Sequence, residues 1–336
     1  MRAHPGDEAR LVATAVSHYP RVGDGPGQQV LRRAIAAVDR GEAGPDAIEA
    51  AQAEMTIAAI REQEDAGLGL VTDGQIRWQD PITYLAARLG GVEIGGLVRW
   101  FESNTYFRRP RVTGRVEWRG PMLVDDLAFA RAHASAPVKA VVTGPYTIAT
   151  LSDLGGREHR DATLEAAAAL NRELRALAAA GAAWIQVDEP AIARNPSVRY
   201  RRDAGLFAEA MHVLVEGVDA RRSLYVYHGD VADVPHLAEL PFDLLGLDLV
   251  QGAAGWELLD RWPAGTGIGL GVVDARNVRM EDDDTLDAAI ARARAATSDA
   301  EVHVSPSCGL EFLPRDVARR KLELVARAVA RCGVAA

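Results

Sequence analysis

The chain has only two cysteines, Cys308 and Cys332, in 336 residues. No disulfide framework can be built on so few thiols, and their scarcity fits a reducing compartment. Clustered cationic charge is missing too: 38 Lys and Arg stand against 47 Asp and Glu, for a formal net charge of -9. Nucleic acids and anionic membranes are held by concentrated cationic side chains that displace counterions, so neither is an expected partner. No run of about 18 apolar residues offers a membrane span, and the opening Met1-Arg-Ala-His-Pro-Gly-Asp-Glu lacks the apolar core of a secretory signal. Internal repeats and low-complexity linkers are also lacking. What survives is the expectation of a cytoplasmic protein that acts on a small molecule.

What the chain does have is apolar residue content, 48% against 25% charged, which is enough to bury a large core. Its length allows two ordinary domains or one α/β barrel with insertions, and the pattern favours the barrel. Eight short apolar runs stand out: Leu11 to Val16, Leu68 to Val71, Val138 to Val142, Trp184 to Val187, Leu224 to Tyr227, Leu244 to Leu247, Ile268 to Val273 and Val302 to Val304. Between them lie Ala-rich helical patterns at Pro45 to Ala66, Arg160 to Ala180, Ala204 to Val218, Leu286 to Ala296 and Pro314 to Arg331. Strands alternating with helices predict a (β/α)8 TIM-type barrel, with residues 1–336 forming one catalytic domain. Residues at about 92–120 break the rhythm and read as a strand-rich insertion after the second strand. The Trp100, Tyr106, Phe107, Arg108 and Arg109 side chains there would suit a lid over an anionic substrate; a solvated hairpin is the reading preferred. The first residues, up to about Ala9, are expected to be loosely ordered.

In such a barrel the reactive side chains gather where the strands end. The ends to inspect are Ser17-His18-Tyr19-Pro20, Thr72-Asp73-Gly74-Gln75, Thr143-Gly144-Pro145-Tyr146, Asp188-Glu189-Pro190, His228-Gly229-Asp230, Asp248, Asp274 and Ser305-Pro306-Ser307-Cys308-Gly309. His228, Asp230, Asp248 and Cys308 together supply one neutral and three anionic donors, a tetrahedral set for a zinc ion that would turn a bound thiol into a thiolate. The competing reading has His228 and Asp230 as hydrogen-bonding groups at a strand end and Cys308 as a small buried residue. Asp188 and Glu189 are adjacent, so on extended backbone only one faces the mouth. Asp188 would hold a substrate ammonium or, alternatively, cap a loop. Asp73 and Gln75, two apart, offer one acceptor and one amide, or ordinary loop bonding. His18 is a proton donor or a surface histidine. His303, inside a strand, reads as packed, and Cys332 as structural.

Several of these stretches, in order, resemble the C-terminal catalytic barrel of the cobalamin-independent methionine synthase family. They are Ser17-His18-Tyr19-Pro20, Val71-Thr72-Asp73-Gly74-Gln75, Thr143-Gly144-Pro145-Tyr146-Thr147-Ile148, Ile185-Gln186-Val187-Asp188-Glu189-Pro190, Gly271-Val272-Val273-Asp274 and Ser305-Pro306-Ser307-Cys308-Gly309-Leu310. The resemblance implies a metal-dependent transferase that moves a methyl group to a thiol, with Zn2+ held by His228, Asp230, Asp248 and Cys308. His228 and Cys308 match the family's ligands, whereas Asp230 stands where it has a cysteine and Asp248 where it has glutamate. Losing one thiolate makes the site harder and leaves the metal's identity open. Gln75 replaces a glutamate that helps bind the homocysteine ammonium, and Asp188 keeps the other carboxylate. The resulting expectation has His18 and Asp188 as catalytic residues, and Ser17, Asp73, Gln75, Asp188, Glu189 and Asp274 as substrate-binding ones. Leu151 near the position of a folate-user's tryptophan, and the lack of an N-terminal half-barrel, imply a short, folate-independent type whose donor is a methylated corrinoid or other carrier protein.

Two other functions stay open at this point. One is carbon-sulfur bond formation or cleavage on another thiol, which the residues at Asp230 and Gln75 keep open. The other is a degenerate, metal-free binding barrel, with a metal-free decarboxylase as a minor variant; fold alone does not choose among them.

Overall fold

The computed structural model describes residues 10–101, 103, 105–195, 200, 202–297 and 300–333, so the expectation for the segment up to Ala9 falls outside the described residues. The chain runs β1 (Leu11–Ala13), α1 (Val30–Asp39), α2 (Pro45–Asp65), α3 (Thr83–Ala86), β2 (Leu89–Arg99), β3 (Tyr106–Trp118), α4 (Val124–His133), β4 (Lys139–Thr143) and α5 (Pro145–Leu151). It continues α6 (His159–Ala179), β5 (Trp184–Asp188), α7 (Ala204–Val215), β6 (Arg221–Val226), β7 (Leu244–Asp248), β8 (Gly267–Val273), α8 (Asp283–Thr297), β9 (Val302–Pro306) and α9 (Arg315–Gly333). Seven strands form one parallel sheet in the order β1-β9-β8-β7-β6-β5-β4. Every residue of β4, β5, β7 and β9 is buried, which is why these segments read as unbroken apolar runs rather than alternating ones.

The expected second strand, Leu68 to Val71, is the exception. It makes only single parallel bridges, Thr14 to Leu70 and Val71 to Val138. Those bridges nevertheless join the two sheet edges: Gly69 N–H donates to Ala13 O at 3.0 Å, Val71 N–H to Pro137 O at 3.0 Å, and Lys139 N–H to Val71 O at 3.0 Å. The sheet therefore curls round on itself, with the eighth place held by two residues. Among the described residues no helix is long and apolar enough to cross a membrane.

The rhythm-breaking stretch is an antiparallel pair, β2 with β3, whose register shifts between Gly90 and Val92 and between Ile94 and Leu97. Its base is clamped by Glu173 of α6, whose buried carboxylate accepts from Trp118 Nε1 at 2.7 Å and from the backbone of Met122 and Leu123. Its far end is not a solvated hairpin throughout. Trp100 and Phe107 are buried, with ring centroids 5.9 Å apart, while Leu97 and Tyr106 are exposed.

Candidate active site

Strand pairing sets which side chains enter the barrel, because residues paired across neighbouring strands point to the same face. Thr143, Asp188, Tyr225, Gly246, Gly269 and His303 form one such level, from β4 round to β9. Its contacts show that this is the interior. The Tyr225 ring lies where a Cβ on Gly246 or Gly269 would come within 2.3 Å and 2.9 Å of it, so both glycines are the space that the ring occupies. Lys139, fully buried, reaches from β4 to donate to Ala15 O and to Gln186 Oε1, both at 2.6 Å, with its ammonium 5.1 Å from the Tyr225 ring centre.

Above that level a chain of hydrogen bonds leads to Asp188. Gln186 Nε2 donates to Val16 O at 2.9 Å and to Asp188 Oδ1 at 2.7 Å, and Tyr227 Oη donates to Asp188 Oδ2 at 3.1 Å. Burial pushes the Asp188 carboxyl up to about 6, against the hydrogen bonds and the Lys139 charge that hold it down. Burial likewise brings Lys139 down to about 7, opposed by Asp188. A carboxylate thus stands at the barrel mouth, with both oxygens oriented.

Glu189 goes the other way, as strand alternation requires. Its oxygens accept from Tyr146 N–H at 2.9 Å, Thr147 N–H at 2.8 Å and Thr147 Oγ1 at 2.6 Å, which caps α5. Three of its acceptor sites thus serve a helix start, on the side of the strand away from Asp188. Asp274 is engaged in its own loop, where Oδ1 accepts from Arg276 N–H at 2.8 Å and Oδ2 from Asn277 Nδ2. Asp73 and Gln75 do come together, but with each other. Asp73 Oδ1 accepts from the Gln75 backbone at 3.0 Å and from its Nε2 at 2.9 Å, leaving Gln75 Oε1 buried and unpartnered. Burial, with the Asp126 charge, raises the Asp73 carboxyl to about 7.

His18 is not a surface histidine. It is buried edge-on against Trp78, with ring centroids 5.5 Å apart, and burial with the Arg21 charge lowers it to about 3, so the ring is neutral. A neutral ring offers one N–H donor and one acceptor nitrogen for hydrogen bonding. His18, Trp78 and Glu311 line a cavity of about 390 Å³ with Arg21, Asp80 and Thr105. Three buried polar atoms on its wall have no partner: His18 Nε2, Trp78 Nε1 and Glu311 Oε2. Buried polar atoms are almost always satisfied, so unpartnered ones on one cavity wall mark a place for a ligand or water. Ser17 lies beside this wall, and its hydroxyl helps to hold the Asp188 carboxyl down.

The proposed metal donors do not form a site. Among the described residues, no three His, Cys, Asp or Glu side chains are placed to hold a metal ion. Asp248 Oδ1 accepts from Val250 and Gln251 N–H at 3.1 and 2.9 Å, and Oδ2 from His228 N–H at 3.1 Å. Asp230 accepts from Ala232 N–H at 2.8 Å and Ala254 N–H at 3.0 Å. Each donor stripped of such a partner costs about 1–3 kcal/mol, so turning either carboxylate to a metal carries that cost. Cys308 is fully buried, and burial with the Glu311 and Asp248 charges pushes its thiol well above the usual range. His228 adopts φ 67°, with Nδ1 unpartnered, inside a ring of Tyr227, Phe101, Phe312 and Trp100 at 4.8 to 6.2 Å. The sequence reading missed Lys139, Gln186, Tyr227 and Glu311. A lysine inside the apolar run Val138 to Val142 was the available signal for the first. His303 and Cys332 are packed as expected, against Trp184 at 5.0 Å and toward Asp287 Oδ1 at 3.6 Å.

Residues 19–331 match the family model described as the catalytic domain of the cobalamin-independent synthase. A methionine synthase of Saccharolobus solfataricus is 31% identical over 316 residues, covering 93% of this chain and 92% of its own. That of Sulfolobus acidocaldarius is 30% identical, covering 93% and 89%. A solved B12-independent methionine synthase from a Shewanella species, in complex with selenomethionine, superposes with a TM-score of 0.77 at 19% identity, covering 96% of this chain and 97% of that one.

Proposed function

This chain belongs to the cobalamin-independent synthase family, and from that premise we propose that it transfers a methyl group to the sulfur of a small thiol bound at the barrel mouth. The observation that carries the reading is Asp188, an interior carboxylate whose two oxygens are fixed by Gln186 and Tyr227. An ionised carboxylate has about four lone-pair sites, so it can still accept from a substrate ammonium and point the thiol along the barrel axis. Ser17 favours the ionised form of this carboxyl, and Gln75 Oε1, buried and unpartnered, offers a neutral acceptor for a second N–H. His18 and Glu311 line the adjoining cavity and orient what enters it.

In the reaction the deprotonated sulfur attacks the methyl carbon. The carbon–sulfur bond forms as the bond from methyl to donor breaks, and that bond's electron pair leaves with the donor. The donor class implied by the resemblance is a methylated corrinoid or other carrier. The family's zinc has no fitting donor set among these residues, and no step is assigned to it.

The test is mass-spectrometric detection of methyl thioethers after incubation with methylcobalamin and thiols that carry or lack an α-amino group. Thioether formation that prefers the amino-thiol, and loses that preference in Asp188→Asn, is expected. Binding of thiols with no thioether from any of them would overturn the assignment.

A further inference from the structure

We infer that this barrel mouth does not take zinc, because the strand positions that would present the ligands carry Tyr225 and Tyr227. The inference rests on the family assignment and not on the activity. A histidine and a cysteine two residues apart on one strand face the same way. At the end of β6 the pair of residues that satisfies this and faces inward is Tyr225 and Tyr227. Tyr225 pairs with Asp188 on one side and Gly246 on the other, and Tyr227 Oη reaches Asp188 across the interior. His228 and Asp230 have the right spacing but the wrong place. β6 ends at Val226, and the left-handed backbone at His228 breaks the alternation that would bring residue 230 to the same face as residue 228.

Three further features agree. The Tyr225 ring fills the space over Gly246 and Gly269, so a metal with four ligands at about 2.0–2.3 Å would have to displace it. Asp248, which does face inward, pairing with Gly271, is turned to the backbone of residues 228, 250 and 251. Asp230 ties its own loop to residues 232 and 254. The interior here is organised instead by an ammonium, an amide, a carboxylate and a phenol in series: Lys139, Gln186, Asp188 and Tyr227.

Elemental analysis tests this on the intact protein, equilibrated with zinc and then desalted, beside His228→Ala, Cys308→Ala and the double variant Tyr225→His/Tyr227→Cys. Wild-type protein without zinc above background, with a thermal midpoint unmoved by zinc or chelator, is expected. So is uptake of about one zinc per chain by the double variant, which regains two inward donors beside Asp248 and Cys308. About one zinc per wild-type chain, lost in His228→Ala or Cys308→Ala, would overturn the inference. A double variant that keeps the wild-type circular dichroism yet takes up no zinc would overturn the placement of residues 225 and 227. If the double variant does not fold, the wild-type zinc content decides alone. None of these readouts uses activity, so a failure of methyl transfer leaves them intact, and zinc in the wild type leaves methyl transfer standing.

Discussion

Replacing Lys139 by methionine probes the interior chain most directly. The ammonium makes two hydrogen bonds of 2.6 Å, to Ala15 O and Gln186 Oε1, and through Gln186 it meets the carboxylate of Asp188. Methionine keeps the bulk but strands two buried acceptors, at about 1–3 kcal/mol each, and leaves Asp188 without its nearest cation. Removing one member of a buried charged pair costs about 3–5 kcal/mol. Because Lys139 lies at about 7, part of the population is already neutral at pH 7, and the lower end, about 3 kcal/mol, is expected there. The sign with pH follows from proton counts. Lys139 is lowered from 10.5, so the native state binds fewer protons than the unfolded chain from about 7 to 10.5, and wild-type stability gains with rising pH there. Asp188 is raised from 3.8 to about 6, so the native state binds more protons in that window, and stability falls as pH rises through it. Urea denaturation of Lys139→Met should lose the alkaline gain, and Asp188→Asn the acidic fall. In the double variant the two costs should fall short of adding, with a coupling of about 1–3 kcal/mol. Additivity within about 0.5 kcal/mol would refute a link through Gln186.

Five other outcomes can be checked. Asp188→Asn should raise KM for amino-thiols roughly 10- to 100-fold, the worth of a hydrogen bond to a charged group, and leave thiols without an amine unaffected. In the wild type that KM should climb as pH falls below about 6, where Asp188 becomes protonated; a flat steady-state profile would count against it as the ammonium's partner. Gly144→Ala places a Cβ 2.2 Å from Oε1 of Glu189, a carboxylate held by three donors, so a loss of about 3 kcal/mol is expected, and thermal unfolding unchanged from wild type would contradict the capping role. Glu311 is raised from 4.5 to about 8 by burial, so its native carboxyl takes up a proton that the unfolded chain releases; Glu311→Gln should flatten a decline in stability between pH 5 and 8. Trp100→Ala should uncover His228 and speed its carbethoxylation, followed by peptide mass mapping, while His303 stays protected.

The barrel was legible because parallel strands buried on both faces leave continuous apolar runs, and these persist in the sequence whatever lies between them. Leu68 to Val71 shows the limit of that signal. The run is apolar for the same reason, but Gly67 at φ 91° and Thr72, held by Gln63 on both sides of its peptide, shorten the paired stretch to two residues. The insertion's strands were legible too. Its buried tip was not, because Trp100 and Phe107 pack on groups such as His228 that are distant in sequence.

At the mouth strand alternation holds only as far as the strands themselves. Alternation correctly separated Asp188 from Glu189, since both residues sit at the end of a strand that stays extended through Asp188. It does not extend to His228 and Asp230, since β6 ends at Val226 and a residue at φ 67° no longer passes its side-chain direction to the next but one. Counting inward from the paired Asp188 and Tyr225 instead of outward from the histidine gives the other answer: two phenols where two metal donors were expected. The chemistry of the site therefore turns on a strand ending at residue 226, a boundary that pattern alone locates to within a few residues and strand pairing locates to one.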